Sequence, residues 1–223
     1  MSYPLLFASG VHDVKNHLNA LLMGLNEAYA GADLSRLPEL SARCVEMATR
    51  LDQLLMLRKT HDEGLQPVPD VRLLSDLIDN ALLECQPIFE SRKVAVHLQH
   101  DETETLVRVD PTLFSLILNN LLYNASVWAT SSVTLHVETC PENRAVRLHI
   151  RDDGTGFPSS LVGSDLSQAL NGNRQDLVQA LGTGLYLCAY ASAALTQAGL
   201  PCSIRLSNQD GACATLELGE QPV

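Results

Sequence analysis

Residues 110 to 129 read DPTLFSLILNNLLYNASVWA, an apolar run interrupted by amides. Its length and apolar spacing predict a helix over 111–128. Asn120 and Asn124 are four residues apart, so their amides share one face of that helix. Two amides on an otherwise apolar helix are costly unless they are used. An asparagine carbonyl is a good hard oxygen ligand for Mg²⁺, an ion that keeps waters and substrate phosphates in its shell. The other reading is an amide satisfied by backbone.

Two further features lie downstream. A strand ending at Ile150 runs into Asp152-Asp153-Gly154-Thr155-Gly156-Phe157-Pro158, where glycines allow close backbone approach and a carboxylate stands at the strand end, able to accept from an adenine amino group. Acidic glycine turns of this kind are common as plain turns. Gly182-Thr183-Gly184-Leu185 then opens a helix predicted over 183–198, where free N–H groups and the helix dipole favour phosphate. Strand candidates with β-branched content fall at 94–99, 106–109, 133–138, 145–151, 203–207 and 213–218. Helix, two strands, helix, two strands, loop, helix and two strands predict an α+β sandwich, with helices on one face of a mixed sheet and the other face meeting solvent or the N-terminal part.

Upstream, Val11, Val14, Leu18, Leu21, Leu25 and Ala28 recur at three and four residues, a single helical stripe ending near Gly31. Asp33 can cap a second helix, whose Leu37, Leu40, Cys44, Met47, Leu51 and Leu54 form a coiled-coil-like seam. Two helices alone expose their stripes, so a second copy completing a four-helix bundle is expected, hence a homodimer. Gly64 to Pro69 (GLQPVP) breaks the periodicity and marks a linker. The expected units are 1–66, a helical hairpin, and 67–223, the α+β domain, beginning with a helical pattern from Asp70.

NLLYNA (Asn120 to Ala125), DDGTGFP (Asp152 to Pro158) and GTGLYL (Gly182 to Leu187) together resemble the N, G1 and G2 boxes of the Bergerat-fold (GHKL) ATPases, and among them the sensor histidine kinases of two-component systems. The resemblance implies that Asn124, with Asn120, binds Mg²⁺, that Asp152 reads adenine, and that Gly154, Gly156, Gly182 and Gly184 line ATP. It also implies a mobile lid over 159–181. Counting about 100° per residue puts His12 opposite the first helix's stripe and so toward solvent. His12-Asp13-Val14-Lys15-Asn16 resembles the family's phosphoacceptor box, with His12 accepting phosphoryl, Asp13 assisting, and Asn16 positioning a water for dephosphorylation of a partner. His17 stands where many of these kinases have proline.

By resemblance, spanning roughly residues 5 to 219, the chain is expected to be a protein-histidine kinase: ATP-dependent autophosphorylation on His12, then transfer to the aspartate of a response-regulator receiver domain. No sensor is expected within these residues, so input is expected from a separate partner. Three departures weaken catalysis more than fold. Val127 stands where the family often has a basic residue, 159–181 has Arg174 as its one cation beside Asp165 and Asp176, and Tyr186 replaces a glycine. Two alternatives follow: a histidine phosphotransferase with a degenerate ATP domain, and a non-catalytic regulatory binding module.

Composition agrees with this reading. Of 223 residues 46% are hydrophobic and 18% charged, as in a packed globule, and the net charge of −11 argues against non-specific binding to nucleic acid or an anionic membrane. Any phosphate must therefore be held by a local site. With no signal peptide or spanning segment, the chain is expected to be cytoplasmic. Six cysteines without CxxC or zinc spacing read as reduced core residues.

Overall fold

The computed structural model describes residues 3–31, 34–62, 64–100, 105–163, 165–167, 170 and 174–219, and their side chains except those of 3–13, 61, 62, 100 and 174–180. Helices α1 (Tyr3–Gly31) and α2 (Leu37–Asp62), joined through a 3-10 turn at Leu34–Arg36, form the hairpin. Residues 64–69 have no regular structure, and Asp33, expected as a cap, lies outside the described residues. The rest of the chain runs β1 (Asp70–Leu73), α3 (Leu74–Arg92), β2 (Ala95–His100), β3 (Leu106–Val109), α4 (Pro111–Trp128), β4 (Ser132–Cys140), β5 (Ala145–Asp152), α5 (Arg174–Gln197), β6 (Cys202–Asn208) and β7 (Ala212–Leu218).

Five strands form one sheet in the order β2-β4-β5-β7-β6, with β2 and β4 parallel and the other pairs antiparallel. Period-two alternation sends Val133, Leu135, Leu148, Ile150, Ile204 and Leu216 inward, each at most 2% exposed. Phe114, Ile117, Leu118 and Leu122 of α4 belong to the same core and are fully covered. Burying each such side chain contributes about 2 kcal/mol, so α4 is held by packing rather than by helix propensity.

The outer sheet face is polar. Arg147 bridges Glu217 at 2.6 Å, and His149 lies between Thr215 and Glu138. The hairpin does not cover this face. Its α2 lies against α3 and α5, with Arg92 Nη2 donating to Glu46 Oε1 at 3.1 Å, Tyr190 Oη donating to the Thr60 carbonyl at 3.4 Å, and Met56 and Leu57 packed on the core.

Two expectations change. Asp70–Leu73 is a strand, not the start of a helix: it pairs antiparallel with β3 over Leu106–Val109, and only at Leu74 does the helix begin. A pairing partner so distant in sequence decides it, since the segment's own side chains are mostly exposed. The helix expected after Gly182 is present, and Gly182, at φ 73° and ψ 165°, separates it from a further helical run that begins at Arg174, within the segment expected as a lid. The cysteines are free, with all but Cys44 buried, and burial pushes the Cys85 and Cys202 thiols up to about 12.

Asp110 ties the linker to α4. Its Oδ1 accepts from the Leu113 amide at 3.0 Å as an N-cap, and its Oδ2 accepts from the Val68 amide at 2.7 Å. Asp110→Ala orphans both amides and is expected to destabilise the protein by about 2 kcal/mol, seen as a lower urea midpoint at unchanged slope. Asp110→Asn keeps one acceptor oxygen but sets an NH2 donor against the second N–H, so it recovers at most about half of the loss. An unchanged midpoint for Asp110→Ala would contradict this anchoring role.

Candidate functional site

A cleft of about 670 Å³ opens between α4, the end of β5 and the kink in α5. Asn124, Asp152, Gly156, Gly182, Thr183 and Gly184 line it together, although they come from three separate stretches of chain. Its floor includes Ala212 and Ala214 of β7, and Phe157, Pro158 and Leu161 form part of its rim.

α4 supplies the first wall. Asn124 is half-buried there, and its amide makes no hydrogen bond among the described residues. Asn120, one turn earlier, has a different environment: it is 2% exposed, its Nδ2 donates to the Leu116 carbonyl at 2.7 Å, and its Oδ1 accepts from Gln53 Nε2 at 2.6 Å. Asn120 borders a second groove, between α2 and α4, rather than the cleft itself. The two amides share a helix face, but only Asn124 reaches the cleft.

The strand end supplies the second wall. Asp152, buried at 5% exposure, accepts at Oδ1 from the amides of Gly154 at 2.8 Å and Ala212 at 3.3 Å. Burial raises its pKa above the ordinary carboxylate value, opposed by these two amides. One carboxylate oxygen is thereby fixed by backbone, which leaves the other available to accept from a ligand. The neighbouring Asp153 faces the other way and clamps the turn before β4. It accepts from the amides of Thr130, Ser131 and Ser132 and from the Ser131 hydroxyl, which holds its carboxyl well below the usual range.

Glycine is required at two of these positions for different reasons. A Cβ on Gly154 would lie 2.1 Å from the backbone oxygen of Trp128, where nothing can yield. Gly182 adopts a positive φ that turns the chain between the two runs of α5 and presents Thr183 and Gly184 to the cleft. At Gly184 a Cβ would come within 2.9 Å of Asn120 Oδ1, so the bare backbone there lets α5 close over the Gln53–Asn120 pair.

The departures noted in the sequence also find their places. Val127 is half-buried and does not border the cleft, and Tyr186, 1% exposed, points into the core against Tyr190, their ring centroids 6.4 Å apart. Gly163, Asp165 and Leu166 lie along the β6 edge, with the Gly163 amide donating to the Leu206 carbonyl and the Leu166 amide to the Ile204 carbonyl. Much of the expected lid, residues 164, 168, 169 and 171–173, lies outside the described residues.

The acceptor box falls on α1. The backbone at His12 and Asp13 is helical, their side chains lie outside those described, and Asn16 is exposed one turn on.

Sequence reasoning missed Arg50 and Gln53, which reach the cleft from α2, and Asn208, whose amide brackets Phe157 with a 2.8 Å bond to its N–H and a 2.9 Å bond to its carbonyl. The helical period does place Arg50 and Gln53 off the α2 seam. Nothing local says what they face.

No protein-family model matches the chain. In sequence it is 26% identical over 189 residues to the sensor protein KdpD of Escherichia coli, covering 82% of this chain and 21% of KdpD. In structure it is similar to the histidine kinase AdeS of Acinetobacter baumannii (TM-score 0.56, 18% identity, 94% of this chain and 97% of that one). It is also similar to the catalytic domain of the histidine kinase ThkA (TM-score 0.55, 18% identity, 70% of this chain and 99% of that one). The chain spans 16% to 46% of the length of the curated relatives it matches. Its curated relatives are sensor histidine kinases, and its fold is the α+β sandwich of their catalytic domains.

The Gly154 contact gives a sharp expectation. Gly154→Ala must displace either the Trp128 backbone or the Asp152 turn and is expected to destabilise by about 1–3 kcal/mol, while Thr155→Ala, at an exposed neighbour, changes stability by less than about 0.5 kcal/mol. Thermal melting of the two variants checks this, and equal midpoints would contradict the close approach.

Proposed function

We propose that the chain is the catalytic core of a protein-histidine kinase that binds ATP·Mg in this cleft and transfers the γ-phosphoryl group to His12. The observation that carries the reading is the convergence of Asn124, Asp152 and the Gly182–Gly184 turn on one cleft. The residues present fit a nucleotide: a buried carboxylate with a free acceptor oxygen for an amino group, an unpartnered amide carbonyl for a cation, and a helix start with bare backbone for phosphate.

In this reading Asp152 accepts from the adenine amino group, Gly154 and Gly156 shape the turn beside it, and Gly182 and Gly184 let main-chain N–H groups approach the phosphates. Asn124 holds Mg²⁺. Asn120 acts from behind, keeping the Gly184 turn in register through its packing. Bound with the nucleotide, Mg²⁺ neutralises phosphate charge and orients the transferred group. An imidazole nitrogen of His12 forms the new N–P bond as the bond to the ADP leaving group breaks, and Asp13 takes up the ring proton. A receiver-domain aspartate of a response regulator then accepts the phosphoryl group, and Asn16 positions water for hydrolysis of that aspartyl phosphate to free phosphate. Among the described residues no helix is long and apolar enough to cross a membrane.

The hairpin supports a homodimer. Leu18, Leu22, Leu25, Leu37, Leu51 and Leu55 are 42% to 54% exposed on α1 and α2, more apolar surface than an isolated hairpin keeps in water. A cleft whose own domain offers no cation among the described residues favours a second reading, a phosphotransferase that receives phosphoryl on His12 from a regulator.

Incubation with γ-labelled ATP and Mg²⁺ is expected to give acid-labile, base-stable label on the wild type and none on His12→Gln. Label retained in His12→Gln would sink the acceptor assignment, and an unlabelled wild type that binds no nucleotide in calorimetry would shift the choice to the phosphotransferase. Light scattering at micromolar concentration should return the mass of a dimer, and Leu51→Glu, which puts a charge into the shared seam, should return a monomer. A monomeric wild type would contradict the bundle.

A further inference from the structure

The cleft described above needs positive charge wherever phosphates sit, and among the described residues its own domain supplies none. Val127 is apolar, and of the described residues lining the cleft the one cation is Arg50. Arg50 belongs to α2, the second helix of the hairpin, and its presence in the wall follows from the way α2 lies against α3 and α5.

Two observations mark Arg50 as more than a neighbour. Its Nε is buried and has no hydrogen-bond partner among the described residues. A buried guanidinium N–H without an acceptor carries a desolvation cost that an arriving acceptor would relieve. Gln53, three residues on and therefore on the same helix face, also lines the cleft and is fixed by its 2.6 Å bond to Asn120. That bond ties α2 to α4 beside the cleft wall to which Arg50 belongs. The acceptor-rich partner that suits a fork of guanidinium donors in a cleft walled by a helix start is a polyphosphate.

We propose that Arg50 of the hairpin supplies the phosphate-contacting cation that no described residue of the nucleotide domain brings to the cleft, so that the ATP site is completed only when α2 is docked. The inference rests on the reading of the cleft as an ATP site. The nucleotide then also acts as a bridge between the two units. Its phosphates hold α2 and the nucleotide domain together, whereas adenosine, lacking phosphates, occupies the same cleft without engaging the hairpin.

Isothermal titration of the full chain with Mg·ATP and with adenosine separates the possibilities. Arg50→Gln is expected to weaken ATP binding roughly tenfold or more, the scale of one charge-assisted hydrogen bond, while leaving adenosine affinity unchanged. Arg50→Lys, which keeps the charge and loses the fork, is expected to fall between the two. The wild type's ATP affinity should also drop more steeply with added salt than that of Arg50→Gln.

Unchanged ATP affinity in Arg50→Gln, or an equal loss for ATP and adenosine, would overturn the assignment, the second because it signals a structural role for Arg50. Binding of ATP by the wild type with no effect of Arg50→Gln removes Arg50 alone from the site. A wild type that binds neither ligand removes the ATP-site reading and this inference with it.

Discussion

A helix buried on nearly every side dictates the rest of this molecule. Phe114, Ile117, Leu118 and Leu122 of α4 are fully covered between the sheet and its neighbours, so any polar group on that helix must either emerge at an edge or find a partner inside. Its two box asparagines divide these options. Asn124 emerges into the cleft with its amide unpartnered, and Asn120 is satisfied inside by the Leu116 carbonyl and by Gln53. The cleft lies where Asn124 reaches the open side of α4, and the hairpin is tied to the helix one turn earlier, at Asn120.

Adjacent carboxylates show how strand geometry separates roles. Asp152 and Asp153 are neighbours, but successive side chains at a strand end point to opposite sides. Asp152 turns into the cleft wall, where burial raises its pKa. Asp153 turns toward the Thr130–Ser132 segment, where hydroxyl and amide donors lower its own. The second carboxylate fixes the turn that follows Trp128, and Trp128's carbonyl in turn leaves room only for glycine at 154. The structural aspartate thus sets the place of the cleft-facing one.

How far the sequence can be read differs by element, for physical reasons. β4, β5, β6, β7 and α4 announce themselves because each buries one face at its own period, and burial leaves an apolar pattern in the residues. β1 leaves none: Asp70, Val71 and Arg72 are exposed, and the strand is defined by hydrogen bonds to β3 alone. The helix after Gly182 is announced by the glycine, whose positive φ is a real break, whereas the run that begins at Arg174 has no such marker. The cysteines, dispersed without ligand spacing, are legible as free residues, five of them in the interior.

In the cleft, the residues that sequence could find were those whose own neighbours constrain them. Glycines beside a carboxylate, an amide on an apolar helix and a glycine turn before a helix each carry a local conflict that only use resolves. The sequence by itself thus determined the α+β sandwich, the hairpin and the identities of Asn124, Asp152 and the glycine turns. Only the tertiary structure decided that Asn120 serves the interior, that Tyr186 is core, and that α2 brings Arg50 and Gln53 to the cleft wall. The reason is distance along the chain: a polar side chain on an exposed helix face carries no record of the surface it will meet, because its partner is chosen by how two separately folded faces pack.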